Sequence, residues 1–255
     1  MKDSLSNKKI IYGAASVVLL VAIWEIASIM TGSDQILPGP WATICATLKL
    51  FAEKDFLAVV GSTLLRGLAG FAIALAAGVA TGILGGLNDT FHSFMKPWIT
   101  VIRATPVIAF VLLALIWFES NAVPVFIGIL TMFPLVYLNI VEGIRSVDPD
   151  IVEMAEFYNV GRRRLIREVY LPSIEPFAVS GISSAVGIGW RAIVVGEVLS
   201  VPQYGIGTVM HSAQTFLQVD VLIAWALITI LFGALFERII RLAQAQIAWR
   251  SQSCH

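Results

Sequence analysis

Three ionisable residues lie inside long apolar segments of the sequence, where a charge is costly unless it faces protein or a water-filled cavity. They are Arg103, Arg191 and Glu197. A guanidinium at such a depth either forms a buried ion pair or attracts an anion, and for the two arginines the sequence leaves both interpretations open. Arg191 and Glu197 are six residues apart and so lie on different faces of a helix, and we expect no ion pair between them. We take all three residues as candidates for a transport path.

Glu25 and Arg66 are two more charged residues, and they lie near the ends of apolar segments. A long side chain in that position keeps its aliphatic part in the apolar region while its charged group reaches the membrane surface. We therefore predict that both side chains snorkel to the surface.

The sequence does not indicate enzymatic chemistry. His92, His211 and His255 lack the spacing of metal ligands, and Cys45 and Cys254 are too few and too far apart for a zinc site or a disulfide framework. The chain has no Gly-x-Ser-x-Gly or His-Glu-x-x-His pattern. It also lacks a Gly-Lys dipeptide, which excludes a phosphate-binding loop ending in Gly-Lys-Ser/Thr. We therefore predict no catalytic residue, no metal site and no ATP hydrolysis by this chain.

Residues 148–172 form a charged segment within an otherwise apolar chain. Asp148 can cap a helix that has Pro149 at its first position. The spacing of Ile151, Met154, Ala155 and Tyr158 predicts one apolar face on this helix. Asn159 tolerates the left-handed conformation that ends helices, so we predict a sharp turn there.

A second short helix is predicted from about Gly161 to Pro172, where proline should end it. Its apolar side would carry Leu165, Ile166 and Val169, and its other side would carry arginines. Arginines alone indicate a solvated loop, but two amphipathic helices joined by a turn favour a docking element.

The composition is that of a membrane protein, with 58% hydrophobic and 13% charged residues and a mean hydropathy of +0.85. The net charge is zero, so nothing in it argues for a nucleic-acid partner.

Pro106 predicts a kink in the third apolar segment. Gly78 and Gly82 favour close helix packing inside the bundle, with a subunit interface or the transport path as the alternatives. We predict six transmembrane helices, at residues 10–30, 62–87, 98–118, 122–141, 177–199 and 219–236, the last continuing beyond the membrane, with an amphipathic interfacial segment within residues 32–57.

Lysine and arginine counts predict the orientation of these spans. Of 17 such residues, 12 lie at the two termini or in loops 88–97 and 142–176, whereas only Lys49 and Lys54 lie in connections on the other side. Both termini and the charged segment are therefore predicted to be cytoplasmic, in a multi-pass membrane protein.

The charged segment resembles the EAA motif of inner-membrane permeases in binding-protein-dependent ABC importers. Glu153, Ala155, Val169, Leu171 and Pro172 match the motif in register, and Asn159 stands where the family usually has glycine. The stretches "ILPGPW", "STLLRGLAGFAIA", "EGIRSVDPD" and "GEVLSVPQYGIGTVM" are similar to the sulfonate, taurine and nitrate branch of these permeases. The resemblance covers nearly the whole chain and implies a location in the bacterial inner membrane.

This resemblance implies an all-α permease subunit of a type I importer, with one transmembrane domain over residues 1–255 and a coupling loop over residues 148–172 that seats in an ATPase. The ATPase-coupling residues would be Glu153, Ala155, Asn159, Gly161, Val169, Leu171 and Pro172. The implied partners are membrane lipid, a second copy of the permease, two cytoplasmic ATPases that use ATP and Mg²⁺, and an extracytoplasmic substrate-binding protein. The implied solute is a small anion such as a sulfonate, taurine or nitrate.

Two other functions remain as alternatives at this point. A secondary transporter driven by an ion gradient would carry midplane carboxylates and broken helices arranged as repeats, and we find no strong internal repeat. A membrane scaffold would leave the two-helix pattern without a purpose.

Overall fold

The computed structural model describes residues 2–33 and 35–252. Cys254 and His255, which figure in the predictions above, lie outside these residues. The described residues form helices and no β-strand, which confirms the predicted all-α class. The helices are α1 Lys2–Thr31, α2 Pro40–Leu50, α3 Phe56–Leu87, α4 Asp89–Ala104, α5 Val107–Trp117, α6 Val123–Arg145, α7 Pro149–Phe157, α8 Arg162–Leu165, α9 Leu171–Ser200, α10 Ile206–Thr215 and α11 Val219–Gln252, with a π-helical turn at Ile166–Tyr170.

Within the described residues, five helical segments are long and apolar enough to cross a membrane, and α4 with α5 makes a sixth if the two count as one span. The five are Ile11–Thr31, Phe56–Leu87, Val123–Arg145, Arg162–Ser200 and Val219–Ile240. The polytopic architecture is thus confirmed. The last span continues as α11 to Gln252, as predicted.

The predicted third span is not one straight helix, because α4 and α5 are bent by 99°. Thr105 is extended at the break, with φ −78° and ψ 129°, as is favoured immediately before a proline. Pro106 then precedes α5. The kink predicted at Pro106 is therefore confirmed, but it is a sharp break between two helices.

Two compact units make up the chain, one from residues 1–57 and 209–230 and the other from residues 58–208 and 231–255. In the first unit, α1 is tied to the turn before α2 by two hydrogen bonds. Trp24 Nε1 donates to the carbonyl of Pro38 at 3.1 Å, and Ser28 Oγ donates to that of Leu37 at 2.9 Å. The segment within residues 32–57 that was predicted to lie at the membrane interface therefore begins with a turn and continues as α2.

In the second unit, glycines of α3 pack against aliphatic side chains of α6. A methyl group added at Gly78 would lie 2.7 Å from Val136 Cβ, and one added at Gly82 would lie 2.8 Å from Ile140 Cβ. Such distances leave no room for a side chain, so the two backbones approach closely. The prediction of internal packing for Gly78 and Gly82 is confirmed. Helix α10, a ten-residue helix between the last two spans, was not predicted from the sequence.

Candidate functional site

The first helix of the coupling loop, α7, begins and ends as predicted. The Asp148 side chain accepts a hydrogen bond from the backbone N–H of Asp150 at 2.9 Å, and Pro149 occupies the first turn. Asn159 has φ 52°, which confirms its left-handed conformation. Its N–H donates to the carbonyl of Glu156, and the N–H of Val160 donates to that of Ala155, both at 2.9 Å. These two bonds form a Schellman motif, which fixes the direction in which the chain leaves α7.

The second helix of the loop does not end at Pro172, and that prediction was wrong. Helix α8 begins after Gly161 and passes through the π-helical turn directly into α9. The N–H of Leu171 bonds to the carbonyl of Ile166, five residues earlier. Such a wider turn suits the residues before a proline, whose ring clashes with the carbonyl four residues earlier in a regular α-helix. The loop is therefore continuous with the fifth predicted span.

The surface of the loop combines exposed apolar and basic side chains. Met154, Phe157 and Tyr158 are 56%, 80% and 71% exposed, and Ala155 is buried at 8% between the two helices. Arg162, Arg163 and Arg167 are exposed on the second helix, as is Glu153 on the first. Of the remaining predicted coupling residues, Val169 is half-buried, and Gly161, Leu171 and Pro172 are exposed. A cavity of about 280 Å³ separates the helices and is lined by the predicted apolar face of α7 with Leu165 and Val169.

Glu197 lies in a buried polar cluster. Its Oε1 accepts from Arg66 Nη1 at 2.6 Å, and its Oε2 accepts from Thr63 Oγ1 at 2.9 Å and from the N–H of Gly207 at 3.0 Å. The carboxylate is fully buried and its partners satisfy both oxygens. A carboxylate held in this way has the contacts of a structural ion pair, and a place for Glu197 along a transport path stays a prediction.

Arg66 does not snorkel, so that prediction was also wrong. Besides Glu197, its guanidinium donates to the carbonyl of Tyr204 at 2.7 Å and to Asn121 Oδ1 at 2.8 Å. Its side chain is only 12% exposed, because these bonds hold it inside the protein. Glu25 is exposed, and its snorkelling stays a prediction.

Arg191 lies on an exposed polar face of α9. Its Nε donates to the carbonyl of Gly187 at 3.1 Å, and it forms no salt bridge within the part of the chain that the structure describes. It is therefore not one member of a buried pair. A groove of about 720 Å³ runs along this face, lined by Pro176, Val179, Ser180, Ser183, Ser184, Gly187, Ile188, Arg191 and Glu237.

Arg103 lines a different groove, of about 470 Å³, together with His92, Lys96 and Tyr137. The three predicted path residues are thus not brought together: Arg191 and Arg103 line separate grooves, and Glu197 is buried in the polar cluster. Among residues 2–33 and 35–252, no group of three or more His, Cys, Asp or Glu side chains could hold a metal ion.

Three partners in this cluster were not predicted from the sequence: Arg66 and Thr63 bond to Glu197, and Asn121 bonds to Arg66. Glu197 carried a signal, because an acidic residue in an apolar segment needs a partner. The paired glycines at 205 and 207 were a second signal. A methyl group added at Gly205 would lie 2.7 Å from Glu197 Cδ, so the backbone approaches the carboxylate closely there.

Comparison with known proteins identifies the family. The family described as "Binding-protein-dependent transport system inner membrane component" matches residues 74–248, which is more than half of the chain and includes the whole coupling loop. The chain belongs to this family. The predicted resemblance to ABC importer permeases is therefore confirmed.

The similarity to individual relatives extends over most of the length of each protein. The chain is 31% identical over 221 residues to the putative aliphatic sulfonates transport permease protein SsuC of Escherichia coli (strain K12), covering 86% of this chain and 83% of the relative. It is 27% identical over 237 residues to a protein of the same name in Bacillus subtilis (strain 168), covering 91% and 85%. The taurine transport system permease protein TauC of Escherichia coli (strain K12) is 26% identical over 242 residues, covering 92% and 88%.

Family membership establishes the general role. The chain is a multi-pass inner-membrane permease component of an ABC importer and not an enzyme, and such systems also contain an ATPase and a substrate-binding protein. Neither the comparisons nor the fold supports the ion-gradient alternative.

Proposed function

We propose that two copies of this chain form the membrane path of an importer for small anionic solutes, and that each copy presents its coupling loop to one of two cytoplasmic ATPases. The observation that carries the proposal is the geometry of residues 148–172: a capped helix, a fixed turn at Asn159 and a second helix that continues into a membrane span. Each copy supplies one such loop and two ATPases must each receive one, so the proposal has two copies of the chain. ATP and Mg²⁺ are used by the ATPases and are not bound by this chain.

The continuity of the second helix suggests how motion passes from the ATPase to the membrane. The exposed Met154, Phe157 and Tyr158 give α7 an apolar surface suited to a groove in the partner. Arginines 162, 163 and 167 add positive charge beside it. When ATP draws the two ATPases together, a displaced loop would pull on α9 without an intervening flexible link. Alternating access would then open the path toward the loaded binding protein.

The polar face of α9 is the proposed solute path. Ser180, Ser184, Gly187 and Arg191 recur on one face of the helix and line one groove. Hydroxyl groups and an exposed guanidinium suit an oxyanion. Relatives named for aliphatic sulfonates and taurine support an anionic solute of this kind.

Replacing Arg191 by alanine should abolish uptake while leaving assembly with the ATPase and basal ATP hydrolysis intact. Its guanidinium is exposed and, within the described residues, its hydrogen bond goes to a backbone carbonyl of its own helix, so we expect the fold not to depend on it. Arg191→Lys, which keeps the charge but loses the planar donor pattern, should retain part of the uptake. Uptake of a labelled small sulfonate into proteoliposomes measures both variants. Wild-type uptake by Arg191→Ala would remove Arg191 from the path.

Sidedness can be tested by cysteine labelling in a background in which Cys45 and Cys254 are replaced by serine. Ser93→Cys and Arg163→Cys should react with an impermeant thiol reagent only from the cytoplasm, and Asp55→Cys only from outside. All three positions are exposed, so accessibility depends on the side of the membrane. Labelling of Arg163→Cys from outside would overturn the proposed orientation, including cytoplasmic termini.

A further inference from the structure

The groove beside Arg103 is lined by one face of α4. Its polar lining residues are His92, Lys96, Thr100, Arg103 and Tyr137, of which the first four are spaced to share a single helix face. Ile99, Ala104 and Leu138 complete the lining. A cavity of about 470 Å³ is ample for one small ion or for the polar end of a larger molecule.

Within the described residues, neither cation of this groove is paired with a carboxylate. Lys96 and Arg103 are exposed, and neither forms a salt bridge within the described residues. No carboxylate occurs among the groove's described lining residues. Asp89, the acidic residue in the first turn of α4, is held by Arg145 at 2.6 Å. Two cations without partners beside apolar helices create a surplus that a bound anion would neutralise.

The imidazole of His92 and the hydroxyl of Tyr137 line the groove next to each other. His92 Nδ1 lies 3.2 Å from the Tyr137 hydroxyl, and the two rings are nearly parallel, at 8°. Tyr137 is fully buried, and a methyl group added at Gly85 would lie 2.6 Å from its hydroxyl oxygen. The tyrosine therefore has little room to move, which keeps its polar end at the groove.

The opposite face of α4 is apolar and exposed. Phe94, Trp98 and Val101 are 62%, 59% and 60% exposed. A helix on the surface of a soluble protein does the reverse, because it buries its apolar face and exposes its charges. An outward apolar face with a basic face turned toward α6 is the arrangement of a helix at a membrane that has a polar cavity behind it.

We infer that this groove is an oxyanion-binding site that accepts a sulfonate, sulfate or phosphate group through Lys96 and Arg103, separate from the groove of Arg191. Two sources can present this chemistry: a small free oxyanion and the headgroup of an anionic phospholipid. A free oxyanion would be the transported solute, and only that source rests on the proposed function.

The test measures two probes on the full-length chain. Sulfate binding is followed by isothermal titration in detergent, and retention of phosphatidylglycerol is counted by native mass spectrometry after extraction from nanodiscs of phosphatidylglycerol and phosphatidylcholine. The double variant Lys96→Gln, Arg103→Gln should weaken at least one of the two by tenfold or more, because each charged hydrogen bond contributes about a factor of ten. Lys54→Gln removes an exposed charge elsewhere and should leave both unchanged.

The pattern of loss identifies the source. Weakened sulfate binding assigns a free oxyanion, and loss of phosphatidylglycerol alone assigns the lipid headgroup. The single variants, which keep one cation, should show intermediate losses and guard against misfolding of the double variant. If wild type binds neither probe, the inference is overturned. It is also overturned if Arg191→Gln removes the binding and the double variant does not, a result that would leave the proposed solute path intact.

Discussion

Asn159→Val is expected to reduce the ATPase stimulation caused by loaded binding protein by about tenfold while leaving membrane insertion unchanged. Asn159 has φ 52°, a conformation that costs a β-branched residue about 1–3 kcal/mol. Val201 shows that valine can hold such an angle, φ 45°, but it directly follows α9 close to the buried Glu197 cluster. Asn159 is exposed, so we expect the loop to relax and change the angle between its two helices. Stimulation is measured on the purified complex.

Asn159→Gly is the matched control and should behave as wild type, since glycine adopts the left-handed conformation freely. Glu153→Lys should resemble Asn159→Val, because it places a positive charge in the first turns of α7, near the positive end of the helix dipole. Full ATPase attachment and full stimulation in Asn159→Val would mean that residues 148–172 are a solvated connection and not a coupling element.

Glu197→Ala should destabilise the protein by about 3–5 kcal/mol, the range expected when one member of a buried ion pair is removed. The change leaves the Arg66 guanidinium without its carboxylate and Thr63 Oγ1 and the N–H of Gly207 without their acceptor. Unfolding in mixed micelles, followed by circular dichroism, measures the loss. No solute is needed, so the effect separates a structural role from one in transport.

Asp89→Ala provides the comparison for this prediction. The Arg145–Asp89 pair has the same 2.6 Å separation as Arg66–Glu197, but the Asp89 side chain is 93% exposed. Exposed pairs contribute about 0–1 kcal/mol, so this variant should unfold close to wild type. Equal destabilisation by Asp89→Ala and Glu197→Ala would contradict the account of the buried cluster.

Local chemistry made the coupling loop largely predictable. The cap at Asp148, the proline at 149 and the turn at Asn159 depend on residues within a few positions of one another, and the structure has all three. The failure at Pro172 has a local cause as well. Proline disfavours a regular α-helical turn, but a π-helical turn bypasses that restriction, and its formation is not visible in the residue pattern.

The partners of the charged residues could not be predicted from the sequence, because they depend on long-range contacts. Arg66 and Glu197 are 131 positions apart, so nothing in their immediate sequence identifies them as partners. Arg103 and Arg191 looked alike in the sequence, since each is an arginine in an apolar segment. The 99° break at Pro106 places Arg103 on α4, whereas Arg191 lies on a continuous helix with serines along the same face. Helix packing, which depends on the whole bundle, separates their grooves.

The energy source of transport tests the central claim most directly. Proteoliposomes containing the chain and its ATPase are supplied with binding protein and a labelled small sulfonate, and uptake is measured with ATP inside, with a proton or sodium gradient alone, and with the ATPase omitted. The account predicts uptake only when ATP, the ATPase and the binding protein are all present, and its loss with Asn159→Val. Uptake by the chain alone under an ion gradient would contradict it.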